Sequence, residues 1–362
     1  MDQPQLEDER KKAILTKVNN QAKYKFDKVI PVKELYRRPD CCSFLLKDNT
    51  YAGTDLDISN SAESQLLNRL SIPARYLHKC SDSLQAANVN EWISKQKSGS
   101  NILLRMMLSN DWLTLKQGPV RKEDFTLLPE PNMVRAIFSD KYGYIDDSFL
   151  IPTAIDALQK LDEKNNLHLK YFYTDWDFSL LRVVYRNELS AKKDNRMYWA
   201  GVSICNSETG KSAVWIKPYV RVSNLKTKQV YSILDSNKDG STRFIHRGEL
   251  DPIRIRKAIT DAITAAQTGI TQLMLAETRT VKQPTVFLKK LGTDIFPSRI
   301  ISILEEEYKE QETANQLQLT ESILAAVKDL PVYEKYKAEA GAGRLISLFE
   351  DIDARIADII TE

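Results

Sequence analysis

Two long segments of strand-like sequence constrain the fold of this chain most. LHLKYFYTDWDFSLLRVVYR spans residues 167–186 and MYWAGVSICNSETGKSAVWIKPYVRV spans residues 197–222. Each consists of two runs rich in β-branched and aromatic residues around a polar turn. Such runs pair as antiparallel hairpins. The sequence therefore predicts an antiparallel sheet in the middle of the chain.

Helical periodicity replaces the strand-like pattern from Asp251 onward. Pro252 suits the first turn of a helix, and the apolar residues after it recur at helical spacing. More helix is predicted to the end of the chain, interrupted at Pro284, Pro297, Pro331 and residues 341–343. We expect an α+β fold, with an antiparallel β-hairpin sheet, flanking helices and a helical C-terminal region. The expected parts are an N-terminal arm (1–40), an α+β core domain (41–303) and an acidic helical C-terminal tail (304–362).

The charge of the chain is unevenly distributed. The 362 residues carry a net charge of +3, but residues 305–362 contain 14 acidic and 6 basic residues. The rest of the chain therefore has an excess of basic residues. A basic body with an acidic tail is compatible with binding a polyanion, with the tail modulating access.

Neither a membrane segment nor a cysteine framework is predicted. No apolar stretch reaches the roughly 20 residues that a membrane span needs, and the N-terminus is charged where a signal peptide would be apolar. We therefore expect a cytoplasmic protein. The four cysteines offer no CxxC spacing, so reduced thiols are expected.

The string DSNKDGSTRFIH at residues 235–246 resembles a calcium-binding EF-hand loop in its first six positions. That motif needs a bidentate glutamate at position twelve, where this chain has His246. The flanking residues are strand-like, although the motif requires helices. We therefore predict a polar turn, in which Asn237, Asp239 and Gly240 serve the backbone geometry.

SETGKS at residues 207–212 ends like a phosphate-binding P-loop. The glycine that this motif requires five residues before Gly210 is replaced by Cys205, so a hairpin turn is predicted instead. His78, His168 and His246 are scattered and show no metal-binding spacing. No metal site and no cofactor are predicted.

One enzymatic alternative rests on three pairs of acidic residues. Paired carboxylates can hold magnesium for phosphodiester cleavage. The pairs are Asp55 with Asp57, Asp146 with Asp147, and Asp175 with Asp177. The first and the last lie next to turns, where aspartate is common for backbone reasons. No catalytic residue is assigned, and a metal-dependent nuclease stays as an alternative.

Cations and aromatic residues are interleaved in the strand-like segments. They are Lys170, Tyr171, Tyr173, Trp176, Arg182, Tyr185, Arg186, Arg196, Tyr198, Trp199, Trp215, Lys217, Tyr219 and Arg221. Residues two apart on a strand share a face, which would place Trp215, Lys217, Tyr219 and Arg221 together. Such a face can bind a single strand, since bases stack on rings and phosphates pair with cations. The alternative is that the rings are core and only the charges are exposed.

Several segments resemble a family of phage- and plasmid-encoded proteins known mainly as a domain of unknown function. They are RLSIPARYL (69–77), NVNEWI (88–93), VRAIFSDKYGYID (134–146), the segment from Gly201 to residue 222, and FIHRG (244–248). The more specific pieces are the NSE-G element at 206–210 and the RAxxSDxY element at 135–142. Where members often carry a Cys-x-Asn-Gly step, this chain has VSNLK at 222–226.

The resemblance implies a phage or mobile-element origin and assigns no catalytic residue. By analogy with phage single-strand annealing recombinases, we expect a non-enzymatic protein that binds single-stranded DNA and anneals strands as a homo-oligomer. A protein-interaction factor acting on a host machine is the second hypothesis. The predicted nucleic-acid contacts are Arg135, Lys141, Tyr142, Arg182, Arg186, Trp199, Lys211, Trp215, Lys217, Tyr219, Arg221, Arg243, His246 and Arg247. The last three cluster before the predicted helix at Asp251.

Overall fold

The helices and strands confirm the α+β prediction. The computed structural model describes residues 3–40, 43–46, 55–107, 133–143, 145–161, 167–175, 177–185, 190–193, 195–226, 230–234, 240–247, 250–291, 298–347 and 360–361. The helices in these ranges are α1 Gln3–Ala22, α2 Asn60–Arg69, α3 Ala74–Leu77, α4 Asp82–Ser94, α5 Asp147–Leu161, α6 Pro252–Ala276, α7 Pro284–Leu291, α8 Ser298–Tyr308, α9 Gln316–Ala326 and α10 Val332–Ser347. Among these ranges, no helix combines the length and apolar character that crossing a bilayer requires.

Six strands form an N-terminal sheet. They are β1 Lys25–Pro31, β2 Leu35–Arg37, β3 Phe44–Leu46, β4 Asp55–Ile58, β5 Asn101–Met107 and β6 Met133–Ser139, in the spatial order β1-β5-β6-β4-β3-β2. All neighbours are antiparallel except β4 and β6. Apolar side chains of this sheet, such as Leu104 of β5, form a core with α2, α3 and α4. Leu66 of α2 and Val89 of α4 belong to this core.

Seven strands form the central sheet, where the two predicted hairpins lie. They are β7 Leu167–Thr174, β8 Ser179–Tyr185, β9 Ser190–Lys193, β10 Arg196–Asn206, β11 Val214–Asn224, β12 Val230–Leu234 and β13 Thr242–Phe244. The main order is β12-β11-β10-β8-β7, with β13 added to β11 and β9 to β10. All described pairings in this sheet are antiparallel.

One face of the central sheet packs on α1, α5 and α6. The core there includes Val183 of β8, Ile216 of β11 and Ile259 of α6. Helix α6 begins where the sequence predicts, because the Asp251 side chain accepts the backbone N–H of Ile253 at 2.9 Å and Pro252 occupies the first turn. The opposite face of the sheet contacts α10, which buries Tyr336 there.

The C-terminal helices form a third core with the far end of α6. Its members include Ile270, Leu304 and Leu317. A small sheet of β14 Thr280–Lys282, β15 Thr313–Asn315 and β16 Ile360–Thr361 borders these helices. The segment expected as an acidic tail thus contributes packed helices as far as Ser347.

Two local expectations differ from the structure. Residues 3–40, expected as an arm, contribute α1, which packs Ile14 and Val18 into a core, and β1, an edge strand of the N-terminal sheet. The predicted helix interruption at residues 341–343 is wrong, since α10 runs through it to Ser347. Ala342 is fully buried there, so small residues allow close packing.

A glycine with positive φ occurs at each of the two expected turns. Gly210 joins β10 to β11 with a φ of 81°, and Gly240 precedes β13 with a φ of 80°. A Cβ atom on Gly240 would lie 2.3 Å from the side chain of Ala265. Residues 235–239 of the EF-hand-like string lie outside the described residues.

Candidate nucleic-acid interface

Trp215, Lys217, Tyr219 and Arg221 of β11 share one face of the central sheet, whereas Tyr198 of β10 lies on the opposite face with Val220 and Val222. In the antiparallel register, Trp215 pairs with Cys205, Lys217 with Ser203, and Arg221 with Trp199. Directly opposed residues project to the same side of a sheet, and so do residues two apart along a strand. The register also brings Arg182 of β8 to this side, opposite Ser203. We call it the cation–aromatic face.

Helix α10 packs on the cation–aromatic face and lines two cavities there. Tyr336 is buried with Cys205, Tyr219 and Phe178. Residues of α10 line two separate cavities, Tyr333 and Lys337 one of them and Lys335 and Glu339 the other. The C-terminal helix therefore completes both cavities.

The first cavity, here called the hairpin groove, has a volume of about 520 Å³. It lies between the β10–β11 turn, β13 and α10. Its lining residues are Lys211, Ser212, Ala213, Trp215, Lys217, Arg243, Tyr333, Tyr336, Lys337, Ala340 and Gly341. Four of the predicted contacts, Lys211, Trp215, Lys217 and Arg243, thus lie together. No carboxylate is among the lining residues that the structure describes.

Cations and rings contact one another in the hairpin groove. Lys217 Nζ lies 4.6 Å from the ring centroid of Trp215, and the guanidinium carbon of Arg243 lies 5.8 Å from the same centroid. Lys337 Nζ lies 4.5 Å from the centroid of Tyr333. At these distances the rings attract the cations, which keeps the positive charges over the ring faces. Sequence reasoning missed Tyr333 and Lys337, because their segment is acidic on average.

The second cavity, here called the inter-helix pocket, lies between the cation–aromatic face and helices α9 and α10. Arg182, Tyr219 and Arg221 of the predicted contacts line it. Tyr219 is only 1% exposed and Arg182 6% exposed. Arg182 forms a buried ion pair with Glu339 of α10. The predicted face is therefore covered by the C-terminal helix at this end.

Glu208, in the turn between β10 and β11, is the centre of a buried charge cluster. Its Oε2 accepts from Lys25 Nζ at 2.7 Å and Arg135 Nη1 at 2.6 Å, and its Oε1 accepts the backbone N–H of Asp147 at 2.8 Å. Arg105 donates to its carbonyl oxygen at 3.0 Å. Burial opposes the charge, but Lys25, Arg135 and Arg105 together hold the pKa of Glu208 well below its usual range. The cluster fastens the hairpin to the N-terminal sheet.

Asp147 extends this cluster towards β8. Its Oδ1 accepts from Ser179 Oγ at 2.7 Å and from Asn206 Nδ2 at 2.9 Å. Burial and the neighbouring negative charge of Glu208 raise the pKa of Asp147 to about 6. The NSE-G element therefore supplies two buried polar side chains, Asn206 and Glu208, that position the turn. Arg135, a predicted phosphate contact, is fully buried in this cluster.

His246 and Tyr142 form a ring stack beside the cluster. The Tyr142 ring lies 3.8 Å from that of Phe138 and 5.5 Å from that of His246, centroid to centroid. His246 Nδ1 accepts the backbone N–H of Ile145 at 3.4 Å. Burial, and then the positive charge of Arg105, lower the pKa of His246 to about 4. The imidazole is therefore neutral at pH 7 and supplies no charge to an anion.

Among the described residues, the remaining predicted contacts do not line either cavity. Lys141 and Arg247 are exposed, and Trp199 is half-buried. Arg186 and Trp176 lie outside the described residues.

Several of the paired carboxylates accept from protein donors. Asp55 pairs with Arg38 at 2.8 Å, and Asp177 pairs with Lys211. Asp175 accepts the backbone N–H of Asp177 at 2.7 Å. Within the described ranges, no three His, Cys, Asp or Glu side chains are grouped so that they could hold a metal ion.

Comparisons of the chain with protein-family models, with curated proteins and with solved structures found no match. The resemblance to phage and plasmid proteins therefore stays a prediction from sequence segments. The function has to be inferred from the geometry of the two cavities and of the charge cluster.

Proposed function

We propose that this protein is a non-enzymatic, single-stranded-DNA-binding protein of a phage or mobile element, with the hairpin groove as its DNA contact. The observation that supports this proposal is the composition of the groove. Four cations, Lys211, Lys217, Arg243 and Lys337, lie there with three aromatic rings. Of these cations, Lys211 is paired with Asp177. Among the described lining residues none is acidic. The groove therefore attracts the phosphates of a nucleic acid, whatever its base sequence.

Ring faces and edges in the groove favour a single strand over a duplex. The bases of a single strand are free to stack on side chains, which stabilises a complex by about 1–3 kcal/mol per base. Trp215 and Tyr333 are half-buried, so part of each ring is accessible. The cations lie over these rings, and phosphates between successive bases would draw them aside as the bases stack. In a duplex the bases already stack on one another and cannot use these rings.

The exposed cations outside the groove extend the proposed contact. Arg247 is exposed and follows β13 by three residues, and Arg243 of β13 reaches the groove. A strand leaving the groove along β13 would meet Arg247. His246 between them is neutral and acts in packing.

Fluorescence anisotropy with a labelled oligothymidylate tests the proposal. Arg243→Gln and Lys337→Gln remove exposed cations without disturbing the core, and each should weaken binding about tenfold, the loss of one charge-assisted contact of roughly 1.5 kcal/mol. Each should also reduce the slope of log affinity against log salt by about 0.7. Lys160→Gln on α5 is the matched control, since its partner Asp156 is exposed as well.

The control should bind like the natural sequence, and a duplex competitor should displace the oligothymidylate poorly. The proposal fails if the natural protein does not bind the oligothymidylate at low salt. In that case the protein-interaction hypothesis would become the better one.

Annealing by a homo-oligomer is part of the proposal through the analogy with annealing recombinases. It predicts faster pairing of two complementary labelled strands when protein is present. Native mass measurement with and without the oligothymidylate would give the number of subunits. A monomer that binds but does not accelerate pairing would limit the function to binding.

A further inference from the structure

The inter-helix pocket is a second site of a different kind. Its volume is about 270 Å³, below the roughly 300–1,000 Å³ of typical ligand pockets. It is bounded by the sheet on one side and by α9 and α10 on the other. A cavity of this volume between these elements fits a small molecule and leaves little room for a polymer strand.

Positive charge exceeds negative charge in this pocket. Five cations line it, Lys170, Arg182, Arg221, Lys328 and Lys335, against two carboxylates, Glu321 and Glu339. The net excess is therefore three positive charges at neutral pH.

Both carboxylates already have cationic partners. Glu339 pairs with Arg182, and Glu321 accepts from Arg196 Nε at 2.8 Å and from Arg196 Nη2 at 3.1 Å. Arg196 is a further cation in addition to the five that line the pocket. The carboxylates are therefore not available to neutralise the other lining cations.

Three of the cations lack such partners. The side chains of Arg221, Lys328 and Lys335 form no ion pair or hydrogen bond with the described part of the chain. They come from β11, from the turn after α9 and from α10, so different elements bring them to one cavity. Like charges brought together without counterions are stabilised by a bound anion.

A buried donor points to the same conclusion. Arg182 is 6% exposed, and its Nε has no hydrogen-bond partner in the described residues. Its guanidinium lies 5.3 Å from the ring centroid of Tyr219 and 5.9 Å from that of Tyr171. Buried donors are normally satisfied, and one lining a cavity is satisfied when a ligand oxygen binds.

We infer that the inter-helix pocket binds a small ligand carrying a diphosphate, with its oxygens held by Arg221, Lys328 and Lys335. A single carboxylate would supply one negative charge, whereas a phosphate group supplies about 1.5–2 and three acceptor oxygens. Two phosphate groups match the excess of three positive charges. The exposed ring of Tyr171 lies at the edge of the cavity, where a base attached to the diphosphate could stack.

Two lysines of α10 provide the test. Lys335 lines the inter-helix pocket and Lys337 lines the hairpin groove, so Lys335→Gln and Lys337→Gln change the net charge equally on one helix. Calorimetric titration with inorganic pyrophosphate and with a nucleoside diphosphate should show binding that Lys335→Gln weakens at least tenfold. Lys337→Gln should leave this affinity unchanged.

The two ligands separate the sources of affinity. Equal binding would place recognition in the diphosphate alone, and tighter binding of the nucleoside diphosphate would add a base contact. Oligothymidylate binding should be weakened by Lys337→Gln and not by Lys335→Gln, so the two sites can fail independently. The inference is overturned if neither ligand binds at millimolar concentration, or if both lysine variants weaken binding equally. Equal melting temperatures of the two variants show that each is folded.

Discussion

The Glu208 carboxylate makes the charge cluster testable by one isosteric change, Glu208→Gln. The amide keeps the side-chain volume and can still accept the backbone N–H of Asp147. It replaces Oε2, which Lys25 Nζ approaches to 2.7 Å and Arg135 Nη1 to 2.6 Å, by an NH₂ donor. Both cations would then face a donor where they now have a countercharge.

The expected loss of stability follows from the burial of these groups. Removing one partner of a buried ion pair costs about 3–5 kcal/mol. Arg135 is fully buried, but the Lys25 side chain is 12% exposed and can turn towards water. We therefore expect the lower end of that range, about 3 kcal/mol. Because folded proteins are stable by only about 5–15 kcal/mol, this is a large fraction of the total.

Urea unfolding at neutral pH, followed by circular dichroism and tryptophan fluorescence, measures this loss. Asp156→Asn is the control, because the side chains of its pair with Lys160 are more than half exposed. It should change the unfolding free energy by about 0.5 kcal/mol or less. Adding Lys25→Met to Glu208→Gln should recover part of the loss, since one stranded cation is removed. A Glu208→Gln variant as stable as the control would refute the account of the cluster.

Two further predictions concern buried carboxylates. Folded Asp147 holds its proton up to about pH 6, whereas an unfolded aspartate loses it near about 3.9, so this group's contribution to stability falls as pH rises between those values. Asp147→Asn should remove that contribution, and a difference in unfolding free energy between natural protein and variant that is constant over this range would contradict it. Glu339→Gln strands Arg182 at the cation–aromatic face, so hydrogen exchange in α10 should accelerate while α1 is unaffected. Unchanged protection of α10 would count against a locking role for this pair.

The central sheet could be predicted from the sequence because its pattern is local. Period-two alternation in the segment around Trp215 and Lys217 fixes which residues share a face, and the polar turn at Gly210 fixes the hairpin. Asp251 and Pro252 likewise predict the start of α6. Each of these features depends on residues close together in the chain.

The charge cluster and the coverage of the sheet could not be predicted in the same way. Lys25, Arg105 and Arg135 are far apart in sequence, and nothing local distinguishes a buried arginine from an exposed one. The sequence therefore predicts a phosphate contact for Arg135, although its side chain pairs with Glu208. The signal in the sequence is the NSE-G element, because glutamate is not one of the residue types that turns favour.

Helix α10 shows why the summed charge of a segment is a poor guide to its effect on a ligand. Residues 305–362 are acidic overall, and this composition predicts a tail that modulates access of a polyanion. An anion in either cavity interacts mainly with charges within about 10 Å, because salt screens the rest. At the cavities α10 places Lys335 and Lys337, and its lining carboxylate, Glu339, is already paired with Arg182. The acidic segment therefore contributes positive charge where an anion would bind, and it supports both proposed sites.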